Sequence, residues 1–127
     1  MVFNRKKVEG FNELNTVLNE HKDRIIILFT GSKNDGKNWC PDCVQAEPII
    51  EKVIEKIVSS DDTDLTFIEC GVGQRTDWKD QKNAFRTDER FKLKEIPTLM
   101  DYNNKAKKLS GEQCANELLV EELFLED

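Results

Sequence analysis

Apolar residues form short continuous runs that are typical of buried β-strands. Residues 25–29 (IIILF) are apolar at every position, which predicts a central strand buried on both faces. Residues 65–70 form a second β-favouring run, and residues 3–8 predict a short edge strand. The polar segment 31–38, which contains two glycines, predicts a loop after the central strand.

Other apolar residues recur at helical spacing. The spacing predicts a first helix over 10–21 and a long amphipathic helix that follows Cys40 and ends near Ser59 and Ser60. Residues 61–64 predict a loop, and the charged segment 75–93 predicts a loop with a short helix.

The end of the chain predicts a hairpin followed by a helix. Residues 98–102 and 105–109 flank the pair Asn103-Asn104, which favours a turn. The final helix is expected to face the core through Leu118, Leu119, Leu123 and Phe124. The complete order β-α-β-α-β-α-β-β-α predicts an α/β chain whose parallel strands are joined by helices, with antiparallel strands added late.

The length and the net charge of the chain limit the number of domains and the kinds of partner. A chain of 127 residues without repeats predicts a single domain over 1–127. Its net charge of −6 argues against nucleic acid or an anionic membrane as a partner. We find no apolar segment long enough for a secretory signal or a membrane span, so we expect a cytoplasmic protein. Four cysteines in that reducing compartment are expected to be catalytic or simply buried.

Cys40 and Cys43 form a Cys-x-x-Cys motif, which alone fits either redox chemistry or zinc. The motif opens a helix, so we expect Cys40 at the N-cap and Pro41 as the first helical residue. The amides of Asp42 and Cys43 would then point at the Cys40 sulfur and favour its thiolate. Cys40 is therefore predicted to be the nucleophile.

Cys43, one turn further on and more buried, is predicted to resolve the mixed disulfide formed at Cys40. The carboxylate of Asp42 should raise the pKa of Cys40 somewhat, and Lys33 and Lys37 are available to offset it. We expect a moderate net lowering of the pKa of Cys40.

A zinc site would need two further ligands near this pair. Cys70 and Cys114 are far apart in sequence and His21 is isolated, whereas structural zinc ligands usually come as two close pairs. We therefore expect no metal site. Cys70 is interpreted as a buried small hydrophobe, while Cys114 is expected to open the last helix, where exposure and oxidation are conceivable.

Several segments together resemble one known family. They are Gly31-Ser32-Lys33, the run WCPDCVQAEP from Trp39 to Pro48, Trp78-Lys79-Asp80, Asn83 with Phe85-Arg86, and Ile96-Pro97-Thr98-Leu99. They resemble the thioredoxin domain-containing protein 17 family over nearly the whole chain. The resemblance implies a thioredoxin fold, with a central mixed sheet of about five strands flanked by about four helices.

The resemblance also implies an activity. Family members are cytosolic reductases of small disulfides, such as cystine, and of selected oxidised proteins. They bind no cofactor and receive electrons from NADPH through thioredoxin reductase; they are also linked to peroxide removal. We expect this chain to act in the same way, as a monomer.

The resemblance assigns roles to individual residues as well. It places Trp39 at the active-site rim, either as a substrate-facing platform or as a shield for the helix end. Trp78 either borders the same groove or anchors a charged loop. Pro97 matches the cis-proline that sits against the active-site sulfurs. Leu28 stands where ordinary thioredoxins have a buried acid, so the proton acceptor for Cys43 has to be water or another carboxylate.

Two hypotheses remain from the sequence. The first is a dithiol reductase in which the charged loop 33–38 obstructs large protein partners and tolerates small disulfides. The second is a redox-inert binding module that uses the same fold in signalling. Retention of both motif cysteines and Pro97 favours the first.

Overall fold

The computed structural model describes residues 3–21, 24–60 and 64–125, apart from the side chain of Ser60. Strands alternate with helices through the first half of these residues, and two adjacent strands follow later. The elements are β1 (Phe3–Glu9), α1 (Gly10–Glu20), β2 (Arg24–Thr30), β3 (Lys33–Asn34), β4 (Lys37–Asn38), α2 (Pro41–Ser60), β5 (Leu65–Gly71), α3 (Arg75–Lys79), α4 (Ala84–Thr87), β6 (Thr98–Asp101), β7 (Lys108–Ser110), a 3₁₀ helix (Gly111–Ala115) and α5 (Glu117–Phe124).

Five of the described strands form one mixed sheet in the order β1-β5-β2-β6-β7. β1 and β2 both run parallel to β5, because α1 and α2 carry the chain back over the sheet between strands. β6 and β7 add antiparallel strands beside β2. The predicted edge strand, central strand and mixed sheet are confirmed.

The central strand β2 separates two apolar cores. Ile25, Ile27 and Phe29 pack with residues of α1, α3 and α4 on one face. Ile26 and Leu28 pack with residues of α2 and α5 on the other. All five side chains are buried, which confirms that this run is covered on both faces and explains why it carries no polar alternation.

The segment after β2 was predicted to be a loop. It contains a small hairpin. β3 and β4 pair antiparallel, with Lys33 opposite Asn38. Between them Asp35 and Gly36 have φ of 54° and 76°, the left-handed conformations that a two-residue hairpin turn requires. The Asp-Gly pair, a known signal for such turns, is the local reason.

The second hairpin is looser than the sequence suggested. β6 ends at Asp101 and β7 begins at Lys108, so residues 102–107 form the connection. The Asp101 carboxylate accepts hydrogen bonds from the amides of Asn103 and Asn104 at 3.0 and 3.2 Å. Asn103 in turn accepts a 2.9 Å bond from the amide of Ile25 on β2. These side-chain bonds replace the tight turn predicted at the two asparagines.

The charged segment 75–93 contains two short helices, where one was predicted. α3 ends at Lys79, and the side chain of Asn83 then caps a new helix by accepting a 2.8 Å bond from the amide of Phe85. The predicted loop 61–64 lies outside the described residues, except for Asp64.

The last helix faces the core differently from our prediction. α5 begins at Glu117, capped by Asn116, and this register turns Val120, Leu123 and Phe124 inward. Leu118 points to solvent, with 72% of its surface exposed. Cys114 does not open this helix either. It lies in the preceding 3₁₀ helix and is fully buried, so the predicted position is wrong and the exposure that the sequence left open is not found.

No helix within the described ranges combines the length and the apolar character needed to span a membrane.

Candidate active site

Cys40 lies at the N-cap of α2, as the motif predicted. Pro41 is the first helical residue, and the Cys40 carbonyl accepts the first bond of the helix from the amide of Val44 at 3.1 Å. The amide of Cys43 points at the Cys40 sulfur, with 3.2 Å between N and Sγ. The chain thus places a hydrogen-bond donor and the positive end of the α2 dipole at one sulfur.

Pro97 lies on the other side of Cys40. The Ile96–Pro97 peptide bond is cis, as the resemblance implied, and Pro97 is buried. The Ile96 carbonyl oxygen lies 3.8 Å from the Cys40 Sγ. Cys40 therefore sits between the start of α2 and the segment that leads into β6.

These surroundings lower the pKa of Cys40 to about 7. The largest cause is the hydrogen bond from the Cys43 thiol, and the amides of Cys43 and Asp42 act in the same direction. Burial and the charge of Asp42 oppose them. The expected moderate lowering is confirmed, although neither Lys33, which binds the Glu47 carboxylate at 3.0 Å, nor Lys37 is among its causes.

Cys43 has the opposite character. Its pKa is raised, first because the hydrogen bond to Cys40 favours its protonated form and then because it is buried, with 2% of its surface exposed. The hydroxyl of Thr30 and the amide of Gly31 act against these causes. One thiol of the pair is thus prepared to ionise near neutral pH, while the other retains its proton.

A cavity of about 10 Å³, room for at most one water, lies beneath Cys43. Leu28, which the resemblance aligned with the buried acid of ordinary thioredoxins, lines it. Thr30 and Pro97 line it as well, together with two carboxylates, Glu47 and Glu69.

Sequence reasoning missed two polar residues at this site, Thr30 and Asn38. Asn38 Oδ1 accepts a bond from the amide of Cys40 at 2.9 Å, and its Nδ2 donates to Thr30 Oγ1 at 3.0 Å and to the Gly31 carbonyl at 2.9 Å. A signal for Asn38 existed, because an asparagine two residues before a helix cap often bonds the backbone in this way. The sequence carries no such signal for Thr30.

Trp39 is held in place by one edge and one face of its indole ring. Its Nε1 donates to the Gly73 carbonyl at 2.9 Å, and the guanidinium of Arg75 lies 5.4 Å from the ring centroid. A Cβ on Gly31 would lie 3.0 Å from this indole and 2.5 Å from Asn38 Oδ1, so this position requires glycine. The half-buried indole borders the site, while its use as a substrate platform stays a prediction.

An open cleft of about 450 Å³ lies next to the start of α2 and the segment that precedes Pro97. Asp42, Glu95 and Glu112 give it an acidic rim, and Ile96, whose carbonyl oxygen lies 3.8 Å from the Cys40 Sγ, lines it as well.

The remaining candidate residues lie away from the site. Trp78 is buried in the core beneath the guanidinium of Arg86, 3.9 Å from the ring centroid, so it packs rather than borders the groove. Cys70 and Cys114 are fully buried, and burial raises the pKa of both thiols. All four cysteines are free thiols. Within the described part of the chain, no three His, Cys, Asp or Glu side chains are grouped to hold a metal ion.

Comparison with solved structures shows the fold. A reduced thioredoxin pre-protein of Schistosoma mansoni aligns with a TM-score of 0.56 at 17% identity, covering 96% of this chain and 99% of its own. The germline-specific thioredoxin Deadhead of Drosophila melanogaster aligns with a TM-score of 0.55 at 16% identity, covering 94% and 98%. The chain has the thioredoxin fold, as predicted.

Comparison of sequences shows the family. A family model described as the thioredoxin domain of thioredoxin domain-containing protein 17-like proteins matches residues 4–126. Thioredoxin domain-containing protein 17 of Homo sapiens is 41% identical over 122 residues, 94% of each chain. Its counterpart in Mus musculus is 39% identical over 127 residues, 98% of each chain. This chain, with its Cys40–Cys43 pair at the start of α2, therefore belongs to the thioredoxin domain-containing protein 17 family.

Proposed function

We propose that this protein is a disulfide reductase in which Cys40 is the nucleophile and Cys43 the resolving thiol. The main support is the amide of Cys43 at 3.2 Å from the Cys40 sulfur, with the pKa of Cys40 at about 7. At neutral pH about half of such a thiol is thiolate, against about 3% of an unperturbed cysteine. Only the thiolate attacks disulfides.

The reaction proceeds in two exchanges. The Cys40 thiolate attacks one sulfur of the substrate, forms a mixed disulfide and expels the first substrate thiolate. Cys43 then loses its proton and attacks Cys40 Sγ, which closes the Cys40–Cys43 disulfide and releases the second substrate thiolate. The two leaving thiolates take up one proton from Cys43 and one from solvent. Two electrons pass from the protein to the substrate.

The pKa of Cys40 favours reduction as the direction. Strongly oxidising members of this class have a nucleophile pKa near 3.5, because a very stable thiolate makes their reduced form stable, whereas reducing members have values near 7. Cys40, at about 7, falls with the second group.

Family membership supports further proposals about the setting. We place the protein in the cytoplasm as a monomer, with cystine and selected oxidised proteins as substrates and a possible contribution to peroxide removal. Thioredoxin reductase with NADPH would restore the dithiol after each cycle.

The test is turnover of cystine with NADPH and thioredoxin reductase. We expect steady NADPH oxidation with the wild-type protein and loss of turnover in Cys40→Ser. Cys70→Ala is the matched control, since it removes a buried thiol of raised pKa and should retain turnover. Turnover of Cys40→Ser equal to wild type, or none in wild type, would contradict the proposal and favour a redox-inert binding module.

A further inference from the structure

The second exchange needs the thiolate of Cys43, yet this sulfur is buried and the residue beneath it on β2 is not an acid. Leu28 occupies that place. The carboxylates that line the same cavity are engaged elsewhere. Glu47 binds Lys33 at 3.0 Å, and Glu69 lies 3.8 Å from both Arg5 and Lys7. The site therefore requires another group to stabilise the charge on Cys43.

Thr30 is placed to stabilise the charge on Cys43. This residue ends β2, is buried with 8% of its surface exposed, and lines the cavity with Cys43. Its hydroxyl acts to lower the pKa of the Cys43 thiol, against burial and the bond to Cys40. Because little solvent reaches Thr30, water competes poorly for its proton.

Asn38 fixes the direction of that hydroxyl. The amide of Cys40 can only donate, so the Asn38 oxygen must face it; the Gly31 carbonyl can only accept, so the Asn38 nitrogen must face that side. The same nitrogen donates to Thr30 Oγ1 at 3.0 Å. With its oxygen accepting from Asn38, Thr30 has its own proton available for the Cys43 sulfur.

We propose that Thr30 is a catalytic residue of the second exchange, where its hydroxyl donates a hydrogen bond to the Cys43 thiolate, and that Asn38 is the positioning residue that orients it. This inference rests on the proposed reductase function. Thr30 takes up no proton in the step. The proton of Cys43 passes to the substrate thiolate expelled by Cys40, and the donated hydrogen bond lowers the cost of charge on the buried sulfur.

A symmetric aromatic disulfide that releases a coloured thiolate separates the two exchanges in one stopped-flow trace. The first equivalent reports attack by Cys40 and the second reports resolution by Cys43. We expect Thr30→Val to slow the second phase by about tenfold or more, because hydrogen bonds to charged groups are worth about 1.5–3 kcal/mol. We also expect the pH midpoint of that phase to rise, while Thr30→Ser restores both rate and midpoint.

The matched control is Thr66→Val, which removes another buried threonine hydroxyl, on the neighbouring strand β5. We expect both phases of this variant to match wild type. Asn38→Ala should slow the second phase in the wild-type background but add little to Thr30→Val, because it acts through Thr30. Should Thr30→Val fail to fold, Thr30→Ala removes the hydroxyl without the second methyl group and carries the same expectation.

A second phase at the wild-type rate and midpoint in Thr30→Val would overturn the inference. So would a Glu69→Gln variant that slows this phase while Thr30→Val does not, because a carboxylate would then be the responsible group. Either result leaves both phases present in wild type and the reductase function standing. A wild-type protein without a first phase would instead contradict the proposed function itself.

Discussion

Leu28 and Glu69 lie opposite each other in the parallel register of β2 and β5, and both line the cavity beneath Cys43. The apolar member of the pair stands on the central strand, next to the resolving thiol. The acidic member stands on the neighbouring strand, where Arg5 and Lys7 face its carboxylate. The residue on β2 beneath the resolving thiol is therefore apolar, and the largest cause of the pKa shift of each thiol is the hydrogen bond between the two.

The effect of the Cys43 thiol on the pKa of Cys40 can be measured directly. Cys43→Ala should raise the pKa of Cys40, because the hydrogen bond from the Cys43 thiol is the largest cause of its lowering. We expect the pH midpoint of iodoacetamide labelling to move up from about 7. Labelling at neutral pH should become slower by on the order of fivefold, since less thiolate is present. Cys114→Ala is the control and should leave the midpoint in place; an unchanged midpoint in Cys43→Ala would show that the partner thiol has no such effect.

The charge of Asp42 raises the pKa of Cys40, whereas the hydrogen bond from Cys43 lowers it. This carboxylate raises the pKa of Cys40, so Asp42→Asn is expected to shift the labelling midpoint to lower pH. Asp42 is exposed, so the shift should be modest and should shrink in about 1 M salt, where the Debye length falls to about 3 Å. Glu112→Gln, which removes another charge from the cleft rim, is the comparison variant. A shift that persists at high salt would point to a structural effect in place of a charge effect.

The hairpin 33–38 offers a test of substrate selectivity. Lys33 and Asn38 are cross-strand partners, so deleting residues 34–37 joins two positions that already lie side by side. The shortened protein keeps Asn38 and loses the exposed tip beside the site. We expect insulin reduction to rise relative to cystine reduction by at least about threefold, because a large partner then approaches Cys40 more freely. An unchanged ratio of the two turnover rates would count against obstruction by the hairpin.

Gly31 should tolerate no side chain. A Cβ there would lie 2.5 Å from Asn38 Oδ1 and 3.0 Å from the Trp39 indole. We expect Gly31→Ala to reduce the free energy of unfolding by about 1–3 kcal/mol, the usual cost of overpacking, in urea titrations. Gly10→Ala provides a contrast, because the added Cβ meets open space there. Any stability that this variant loses comes from the positive φ of Gly10 and not from overpacking. Adding Asn38→Ala to Gly31→Ala should recover part of the loss, and strictly additive effects would argue against this contact.

The sequence pattern predicted most of the sheet because burial alone sets it. The run 25–29 is apolar at every position, and only a strand covered on both faces buries such a run completely. The position of Cys40 and Pro41 followed from helix capping, which is a local rule. The face that α5 turns toward the core was harder to predict. Leu118 and Val120 are both apolar, and the Asn116 cap that decides which of them faces inward is only one of several possible helix starts.

The polar part of the site was less accessible to prediction. Thr30 ends an apolar run and looks like any strand terminus; its importance arises only when folding brings it to Cys43, thirteen positions away. Asn38 acts through three bonds, of which only the one to Cys40 is local in sequence. Cys114 was misplaced because its burial depends on the 3₁₀ helix packing beneath Pro97, whose carbonyl lies 3.6 Å from its sulfur.

The burial of Cys70 and Cys114 has a consequence for chemical labelling of the protein. Both are fully buried with raised pKa values, and Cys43 is nearly as inaccessible. Cys40 is also buried, with 5% of its surface exposed, but its pKa of about 7 makes it the one thiol of the four that ionises near neutral pH. An electrophile added to the native, reduced protein is therefore expected to react at Cys40. Alkylating probes and activity-based tags would therefore report on that atom alone, without replacement of any other cysteine.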